Sequence, residues 1–536
     1  MLFDFFARKL RYINDSKRHQ SNSGDEEQRQ PEIVESLSKN LEELKQLLGT
    51  GSDLKIHFFR FGEDSRYSGV LVYFDGLVDG TVISDTILRP IVNWRQSCER
   101  ALLRRELVEI LCQEVMCSAD TESVQTINEL AGGCLSGDVA LLINGCPTGL
   151  IISAKGWDQR SVAEPPSESV VRGPREGFTE NLRTNTALIR RRIKTGKLRA
   201  DMLTVGKKTK TGVCLMYLEG VANTKVVDEV KFRIKQLDID SILDSGNIEE
   251  YIEDAPFSPF PTVGYSEKPD VIASRVLEGR VAIIVDGTPF VLTAPMLFIE
   301  SFQTAEDYYT RTIYANIIRM LRYLAFLLSV FGPGIYVALT SYHQELIPTT
   351  LLFTIANARE GTPFPVFIEA LVMVFAYELL REGGIRLPHP VGQAISIVGA
   401  LIMGDAAVSA GVVSAPIVIA IAITAVAGFL VPMQNESSSI LRFIMLFLSA
   451  GTGFYGLSLG FLAMLIHLST LTSFGVPYFD GFAITRNLQD SIVRMPLWSM
   501  VMRPKYIAKG DLTRRRFFIP PLRPYSMEDD DLEEGT

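Results

Sequence analysis

Three long runs without a charged residue most constrain how this chain can fold. Tyr323–Gln344 contains no Asp, Glu, Lys or Arg over 22 positions, Ala406–Gln434 contains none over 29, and Phe443–Phe479 contains none over 37. A helix that crosses the hydrocarbon core of a bilayer needs about 20 apolar residues. Much of residues 323–472 is therefore predicted to lie in a membrane, behind a preceding region of soluble composition.

Four apolar segments are predicted within this tract. They are 323–341, Phe364–Leu380, Val412–Val431 and Phe443–Leu471. The first contains a Gly332-Pro-Gly break, and the third is a full span. The last contains a Gly-rich break and is either one long span or two short ones. A fifth stretch, Val391–Gly404, is too short to cross alone without its neighbours. We expect four to six crossings in all.

Basic residues flank both ends of the tract. Arg311, Arg319 and Arg322 precede the first span, and Arg503, Lys505, Lys509 and Arg514–Arg516 follow the last one. Because cytoplasmic flanks of membrane helices are enriched in Lys and Arg, both ends are expected in the cytoplasm. The number of crossings is then even.

Ionisable side chains inside membrane segments are costly and are candidates for function. Glu369 lies well inside the second apolar segment, and Asp405 lies between two apolar runs. Both are candidates for an ion pathway or a gate. The alternatives are a structural hydrogen bond from Glu369 to a neighbouring helix, and a helix cap at a break for Asp405. Glu378 is instead expected to form an ion pair with Arg381 at the membrane interface.

Small residues recur every four positions in Val391–Gly404, at Gly392, Ser396, Ala400 and Gly404. Such a face lets helices approach closely in lipid, so we expect it to pack on another helix of the same chain or of another copy. The alternative is that small residues are simply common in membrane helices. Gln393 and Ser396 of this segment join Glu369 and Asp405 as candidates for an ion path.

The soluble region contains an internal repeat. Tyr73-Phe-Asp-Gly-Leu-Val-Asp aligns with Tyr217-Leu-Glu-Gly-Val-Ala-Asn at an offset of 144 residues. Gly137-Asp-Val-Ala-Leu-Leu-Ile-Asn-Gly-Cys-Pro aligns with Gly279-Arg-Val-Ala-Ile-Ile-Val-Asp-Gly-Thr-Pro at an offset of 142. The nearly equal offsets predict two related α/β subdomains, although two similar hairpins could arise by chance. Asn144-Gly and Asp286-Gly indicate two-residue hairpins.

Composition excludes several classes of function. The net charge of −9 argues against nucleic-acid binding, and the six cysteines form no C-x-x-C pair. No phosphate-binding glycine loop or nucleophile elbow is present, so we expect no enzyme, no cofactor and no metal site. The N-terminus lacks the apolar run of a signal peptide, which favours a cytoplasmic soluble region.

A basic segment joins the two predicted subdomains. Between Arg172 and Arg199 there are nine basic residues and two acids. Six of the arginines are candidates for an assembly or anion-binding surface: Arg172, Arg175, Arg183, Arg190, Arg191 and Arg192. The alternative is a solvated helix face, with some arginines paired to acids of a neighbouring repeat or subunit. An acidic lipid would also suit such a cluster.

The predicted organisation is therefore an α/β soluble region of two repeated subdomains followed by an α-helical transmembrane domain of four to six segments. Its parts are 1–49, a disordered leader and an amphipathic helix; 50–160, the first subdomain; 161–199, the basic joint; 200–310, the second subdomain; 311–480, the transmembrane domain; and 481–536, a cytoplasmic C-terminal tail.

Several long motifs resemble those of the GerA family of spore germination proteins, the A subunits of nutrient germinant receptors. They are Glu164–Lys194, Thr362-Pro-Phe-Pro-Val-Phe-Ile-Glu-Ala, Leu380-Arg-Glu-Gly-Gly-Ile-Arg-Leu-Pro and Val391-Gly-Gln-Ala-Ile-Ser-Ile-Val-Gly-Ala. The resemblance extends over about residues 50–510 and keeps the order of the motifs.

The resemblance implies a location and partners. It implies a multi-pass protein of the spore inner membrane, in complex with a transporter-like B subunit and a lipoprotein C subunit. It also implies a homo-oligomer whose membrane helices surround an ion path. A non-conducting scaffold or signal relay in the same complex is the alternative, and a sporulation paralogue of the family has the same motifs.

Overall fold

Two five-stranded antiparallel sheets precede a helical region in the computed structural model. The structure describes residues 31–62, 65–94, 107, 108, 110–116, 120–156, 165, 168, 170–386, 402–479, 490–500, 502–504 and 507–514. The strand orders are β1-β2-β4-β5-β3 and β6-β7-β9-β10-β8, so both sheets have the same topology. This is the pattern that a duplication predicts.

The first repeat contains five strands, three main helices and a separate π-helical turn at Leu111–Val115 in the described residues. The helices and strands are α1 Leu37–Leu48, β1 Leu54–Phe61, β2 Tyr67–Phe74, α2 (80–93, with a π-helical turn at Ile83–Leu88), β3 Thr121–Val124, α3 Ile127–Leu135, β4 Val139–Ile143 and β5 Gly149–Ile152. Buried residues on alternate positions of β2 contact opposite faces of the sheet. Val70 and Val72 pack with α1 and α3, whereas Leu71 packs with α2.

The second repeat has the same plan. Its elements are α4 Leu182–Arg192, β6 Leu198–Val205, β7 Thr211–Leu218, α5 Thr224–Gln236, α6 Ser245–Ile252, β8 Gly264–Ser266, α7 Pro269–Leu277, β9 Val281–Val285 and β10 Val291–Ala294. Helices α5 and α6 cover one face of the sheet, and α4 and α7 cover the other. Helix α4, which the sequence places in the joint, thus occupies the position that α1 has in the first repeat.

The two repeats also share an equivalent pair of hydrogen bonds made by a buried asparagine. The buried Asn40 of α1 accepts from the Val34 amide (2.9 Å) and donates to the Val34 carbonyl (2.6 Å). Asn185 of α4 makes the same two bonds with Thr179, at 2.8 and 2.5 Å. A buried asparagine therefore fixes the start of the first helix in each repeat.

The Asn-Gly and Asp-Gly pairs do lie between paired strands, but the two-residue loops expected there are wrong. Leu141 pairs with Leu150 and Ile283 with Leu292, so the connections are longer. The residues serve instead to dock a helix, because Gly145 donates to the Glu35 carbonyl just before α1. Gly287 donates to the Glu180 carbonyl before α4, also at 2.8 Å.

Six principal helices follow the second repeat. They are α8 Thr312–Ser341, α9 Thr349–Arg359, α10 Val366–Arg386, α11 Ala415–Phe429, α12 Asn435–Thr452 and α13 Phe454–Thr470. The break expected at Gly332-Pro-Gly is absent, since α8 continues through Pro333. The two glycines instead admit neighbouring helices: a Cβ on Gly332 would lie 2.5 Å from Thr424 Oγ1, and one on Gly334 would lie 3.2 Å from the Met445 carbonyl.

Two of the other predicted spans also need correction or refinement. Val412–Val431 holds a helix of only 15 residues, α11, shorter than the full span expected. Phe443–Leu471 is divided between α12 and α13 at Gly453, whose φ of 63° favours glycine. The Gly-rich break therefore produces two helices.

Among the described residues, one helix is long and apolar enough to cross a membrane. This helix is α8; the bent pair formed by α11 and Pro432–Thr452, with an angle of 113°, is a second candidate if counted as one span. The number of crossings therefore stays a prediction.

The chain returns to the second repeat after α13. A short hairpin, β11 Thr472–Ser473 with β12 Val476–Pro477, places Phe474 in the core beneath α5 and α6. Farther on, Ala508 pairs with Ala222 and is buried against α4 and α7. Ile507 and Ala508 of the predicted C-terminal tail are thus buried in the second repeat.

Candidate functional site

An ion-pair network lies where α8 leaves the second repeat. Asp307 binds Arg319 (3.2 Å) and Arg322 (2.8 Å), and Arg319 also binds Asp490 of the C-terminal segment (3.1 Å). Burial raises the pKa of Asp490, which also accepts a 2.7 Å hydrogen bond from Tyr308. We refer to these five residues as the base network.

The base network changes the interpretation of the basic flank of the first span. Arg319 is fully buried and Arg322 is 6% exposed, and both are paired with acids. They do not act as solvated charges at a membrane surface, so these two positions do not support the positive-inside argument. They join the first helix, the second repeat and the C-terminal segment instead.

A second charged site lies inside the helical region, around Arg442 of α12. Its guanidinium is 1% exposed and pairs with Glu378 of α10 at 2.6 Å. Glu378 also binds Arg381 at 2.7 Å, as expected from the sequence. The buried charge of Arg442 is thus compensated by a carboxylate from another helix.

Pro333 explains why Arg442 binds α8. A proline inside a helix removes the amide that would donate to the carbonyl four residues earlier, here that of Ser329. Arg442 Nε donates to this carbonyl at 2.8 Å, and Arg442 Nη2 donates to Ser329 Oγ at 2.9 Å. The Gly-Pro-Gly motif therefore frees an acceptor for a buried arginine. We refer to Ser329, Glu378, Arg381 and Arg442 as the Arg442 site.

Glu369 lies at a third buried site. Its side chain is 1% exposed and accepts hydrogen bonds from the amide (3.0 Å) and hydroxyl (2.8 Å) of Ser414 before α11. Arg359 and Thr362 lie on its other side, at 3.4 and 3.2 Å. These bonds favour the structural alternative for Glu369, and a role in an ion path stays a prediction.

The remaining candidates in the tract lie elsewhere. Asp405 and Gly404 are exposed in a π-helical turn, Ile402–Ala406, and no side chain caps the short helix that follows it. The cap proposed for Asp405 is therefore not formed, and a Cβ on Gly404 would meet nothing within 4 Å. Gly392, Gln393, Ser396 and Ala400 lie outside the described residues.

The joint arginines do not share one surface. Arg190 is 2% exposed, binds Asp53 of the first repeat at 2.6 Å and lies 4.2 Å from the centre of the Phe74 ring. Its assignment to an assembly or anion surface is therefore wrong, because burial removes it from any surface. The pairing of joint arginines with acids of the neighbouring repeat applies to it instead.

The other joint arginines are more accessible. Arg183 is largely exposed and lies 3.6 Å from Asp75 of the first repeat. Arg192 and Arg191 are half-buried near Glu176, at 2.7 and 3.7 Å. Arg172 and Arg175 are exposed. These five arginines thus keep at least part of their side chains exposed, unlike Arg190.

Sequence reasoning missed Arg442, Asp307 and Asp490. Arg442 stands at the edge of a charge-free run, where it resembles a flanking residue. Pro333, near the middle of the first predicted span, is the signal that points to an unpaired helix carbonyl. Asp307 and Asp490 are separated by 183 residues, a distance that no local pattern bridges.

Two further observations concern possible metal ligands and thiols in the described part of the chain. No group of three or more His, Cys, Asp and Glu side chains there could hold a metal ion. Cys134 is buried, and burial raises the pKa of its thiol to about 12. Burial also raises the pKa of the Cys214 thiol.

Fold and sites together define a class: a duplicated, antiparallel-sheet region followed by a helical region with at least one helix able to cross a membrane. The family of Bacillus/Clostridium GerA spore germination proteins matches residues 42–506. The chain belongs to this family.

Two individual relatives are similar over most of this chain. Spore germination protein KA of Bacillus subtilis (strain 168) is 43% identical over 516 residues, which cover 95% of this chain and 94% of the relative. Spore germination protein GerLA of Bacillus cereus is 37% identical over 488 residues, covering 90% and 98%. The crystal structure of the N-terminal domain of the A subunit of the Bacillus megaterium germinant receptor GerK3 covers 50% of this chain and 98% of its own, with 36% identity and a TM-score of 0.41.

Proposed function

We propose that this protein is the A subunit of a nutrient germinant receptor in the spore inner membrane. Its partners are a transporter-like B subunit, a lipoprotein C subunit and membrane lipid. The observation that carries the membrane location is the helical region, which buries ion pairs and exposes large apolar side chains. Exposed examples are Ile317, Leu324, Phe375, Ile419, Ile423, Val426, Phe447, Leu459 and Ile466. Water disfavours such a surface, whereas lipid accommodates it.

The proposed topology has four or six crossings, with the repeats and the C-terminal segment on the cytoplasmic side. It is supported by the contacts of residues 490–514 with the part of the chain that precedes α8: Asp490 binds Gln303 and Tyr308, and Ala508 packs in the second repeat. Segments that pack together lie on the same side of a bilayer. The helical region between them must then cross an even number of times.

We further propose that the subunit oligomerises and forms or gates an ion path. Intramembrane ionisable groups support this, because they are retained at a cost. Asp405 is the candidate best placed for such a role, since it is exposed within a single copy. Glu369, which is engaged by Arg359 and Ser414, serves as its matched buried counterpart. The alternative is a non-conducting scaffold or relay in the same complex.

Ion flux from liposomes that contain the purified subunit, alone and with B and C subunits and nutrient, tests this proposal. We expect nutrient-dependent flux, and we expect Asp405→Asn to change its ion selectivity. Glu369→Gln is expected to lower the amount of folded protein rather than selectivity. Absence of flux from assembled complexes under every condition would exclude conduction and favour the relay.

A further inference from the structure

The second repeat carries opposite charges on its two sides. Helix α6 packs with α5 on one face of the sheet β6-β7-β9-β10-β8, through Ile248 and Ile252. Helices α4 and α7 pack on the other face, together with Phe178 at the end of the joint. Acidic residues lie around α6, and the exposed arginines of the joint lie on the opposite side.

The acidic side is formed by a long stretch of sequence that contains acids but no basic residues. Residues 236–267 contain eight acids and no Lys or Arg. Asp238, Asp240 and Asp254 are paired with Lys207, Lys208 and Arg233. The acids at the end of α6 have no such cation among the described residues, and burial together with Glu253, Glu436 and Asp244 raises the pKa of Glu249 to about 7.

Large apolar side chains accompany these acids. Leu243 is 75% exposed, Tyr251 58% and Phe257 fully exposed. Exposed aromatic and aliphatic side chains beside charges are typical of protein interfaces. We define the acidic surface as Leu243, Glu250, Tyr251, Glu253 and Phe257.

The joint provides the complementary surface. Arg172 and Arg175 are exposed, and Val171 beside them is 92% exposed. The Val171 amide donates to Glu306, and Gly173 lies against the Tyr309 ring, so this stretch is held on the side of α7. We define the basic surface as Val171, Arg172 and Arg175.

We propose that the acidic surface of one copy of this chain binds the basic surface of the next. The proposal rests on the proposed function, in which the subunit oligomerises. Because the two surfaces lie on opposite faces of one sheet, the contact is head-to-tail rather than two-fold, and such contacts close into rings when the rotation permits. Anionic lipid is a poor occupant of the acidic surface, since like charges repel.

Charge reversal on each surface tests the pairing in the full chain. The variants are Arg172→Glu with Arg175→Glu, Glu250→Arg with Glu253→Arg, and the chain that carries all four substitutions. We expect each pair alone to weaken self-association on the order of tenfold or more, because like charges then face each other. The fourfold variant restores opposite charges and is expected to assemble like the wild type. Mass photometry of the detergent-solubilised protein measures the oligomer distribution.

A reversal of two exposed acids in the first repeat, Glu42→Arg with Glu122→Arg, is the matched control and is expected to leave assembly unchanged. Thermal unfolding verifies that every variant is folded. Unchanged assembly of both surface variants, or a folded fourfold variant that fails to reassemble, would overturn the proposal. Assembly without ion flux would instead count against the ion path and leave this interface standing.

Discussion

Arg190 is the side chain that most directly joins the two repeats. It lies on α4 of the second repeat, yet its guanidinium binds Asp53 and covers the ring of Phe74, both in the first. It also donates to the Leu198 carbonyl at 3.1 Å. Asp53 has a raised pKa, because burial outweighs the stabilisation of its charge by Arg190. The Asp53–Arg190 pair is therefore costly to bury, and the packing of the two repeats holds it in place.

Arg190→Ala is expected to lower the free energy of unfolding by about 3–5 kcal/mol, since it leaves the Asp53 carboxylate buried without a partner. Arg172→Ala removes an exposed arginine of the same joint and is expected to cost less than about 0.5 kcal/mol. Chemical denaturation at pH 7 measures both.

The pH dependence of that loss provides a stricter criterion. A carboxyl group whose pKa is raised by folding contributes stability below its unfolded pKa and loses it as pH rises through the folded pKa. Removing Arg190 raises the folded pKa of Asp53 further, so the defect should shrink toward pH 4. Asp53→Asn should rescue part of the loss at pH 7. A defect that is independent of pH and is not rescued would contradict this account.

At the residue scale, the sequence predicts charges better than it predicts their partners. The excess of arginine in the joint is evident, but whether a given arginine is buried depends on the opposite repeat. Arg190 and Arg191 are adjacent in the sequence and have the same side chain. Arg190 is buried because it contacts Asp53, whereas Arg191 lies near Glu176 and is half-buried. Glu378 was paired correctly with Arg381 because the two are three residues apart on one helix.

At the scale of elements, α8 and α12 are coupled through Pro333. The proline leaves the Ser329 carbonyl free, and Arg442 of α12 donates to it while it binds Glu378 of α10. Three helices thus meet at one guanidinium. Continuity of α8 through Gly332-Pro-Gly follows from this arrangement, because the freed acceptor is satisfied by a neighbour and the glycines let α11 and α12 approach.

A double-mutant cycle between Pro333→Ala and Arg442→Met measures this coupling. Alanine restores an amide that donates to Ser329, so the loss of Arg442 should cost on the order of 1 kcal/mol less in that background. Thermal unfolding of the four proteins in detergent gives the energies. Pro416→Ala, in the first turn of α11, is the control proline and should be additive with Arg442→Met within about 0.5 kcal/mol. Additivity at Pro333 as well would refute the proposed link.

The sequence predicts features that depend on a single element, such as a break between helices. It does not predict features that depend on contact with a further element. The loops after Asn144 and Asp286 are longer than the dipeptides suggest, because each must also reach the helix that begins its repeat. The break predicted at Gly453 is present, and this glycine has a positive φ. The break predicted at Gly332-Pro-Gly is absent, because Arg442 satisfies the carbonyl that Pro333 leaves free.

At the scale of the whole molecule, the base network and the C-terminal segment support the proposed orientation in the membrane. Asp307, Arg319 and Asp490 connect the start of the first helix to a segment that follows the last one. The hairpin at Thr472–Pro477 returns the chain to the core of the second repeat directly after α13. These contacts support the proposed topology, in which the helical region begins and ends on the same side of the membrane, and this support does not depend on counting flanking arginines.

Single cysteines report this orientation directly. We expect labels at Glu42→Cys and Lys509→Cys to react from one side of sealed membrane vesicles, and a label at Gln344→Cys, beyond α8, to react from the other. All three positions are exposed, so access is limited by the membrane rather than by packing. The unsubstituted chain supplies the background from native thiols. If Lys509 and Glu42 label from opposite sides, the number of crossings is odd and the packing of the C-terminal segment on the second repeat cannot exist in the membrane-bound protein.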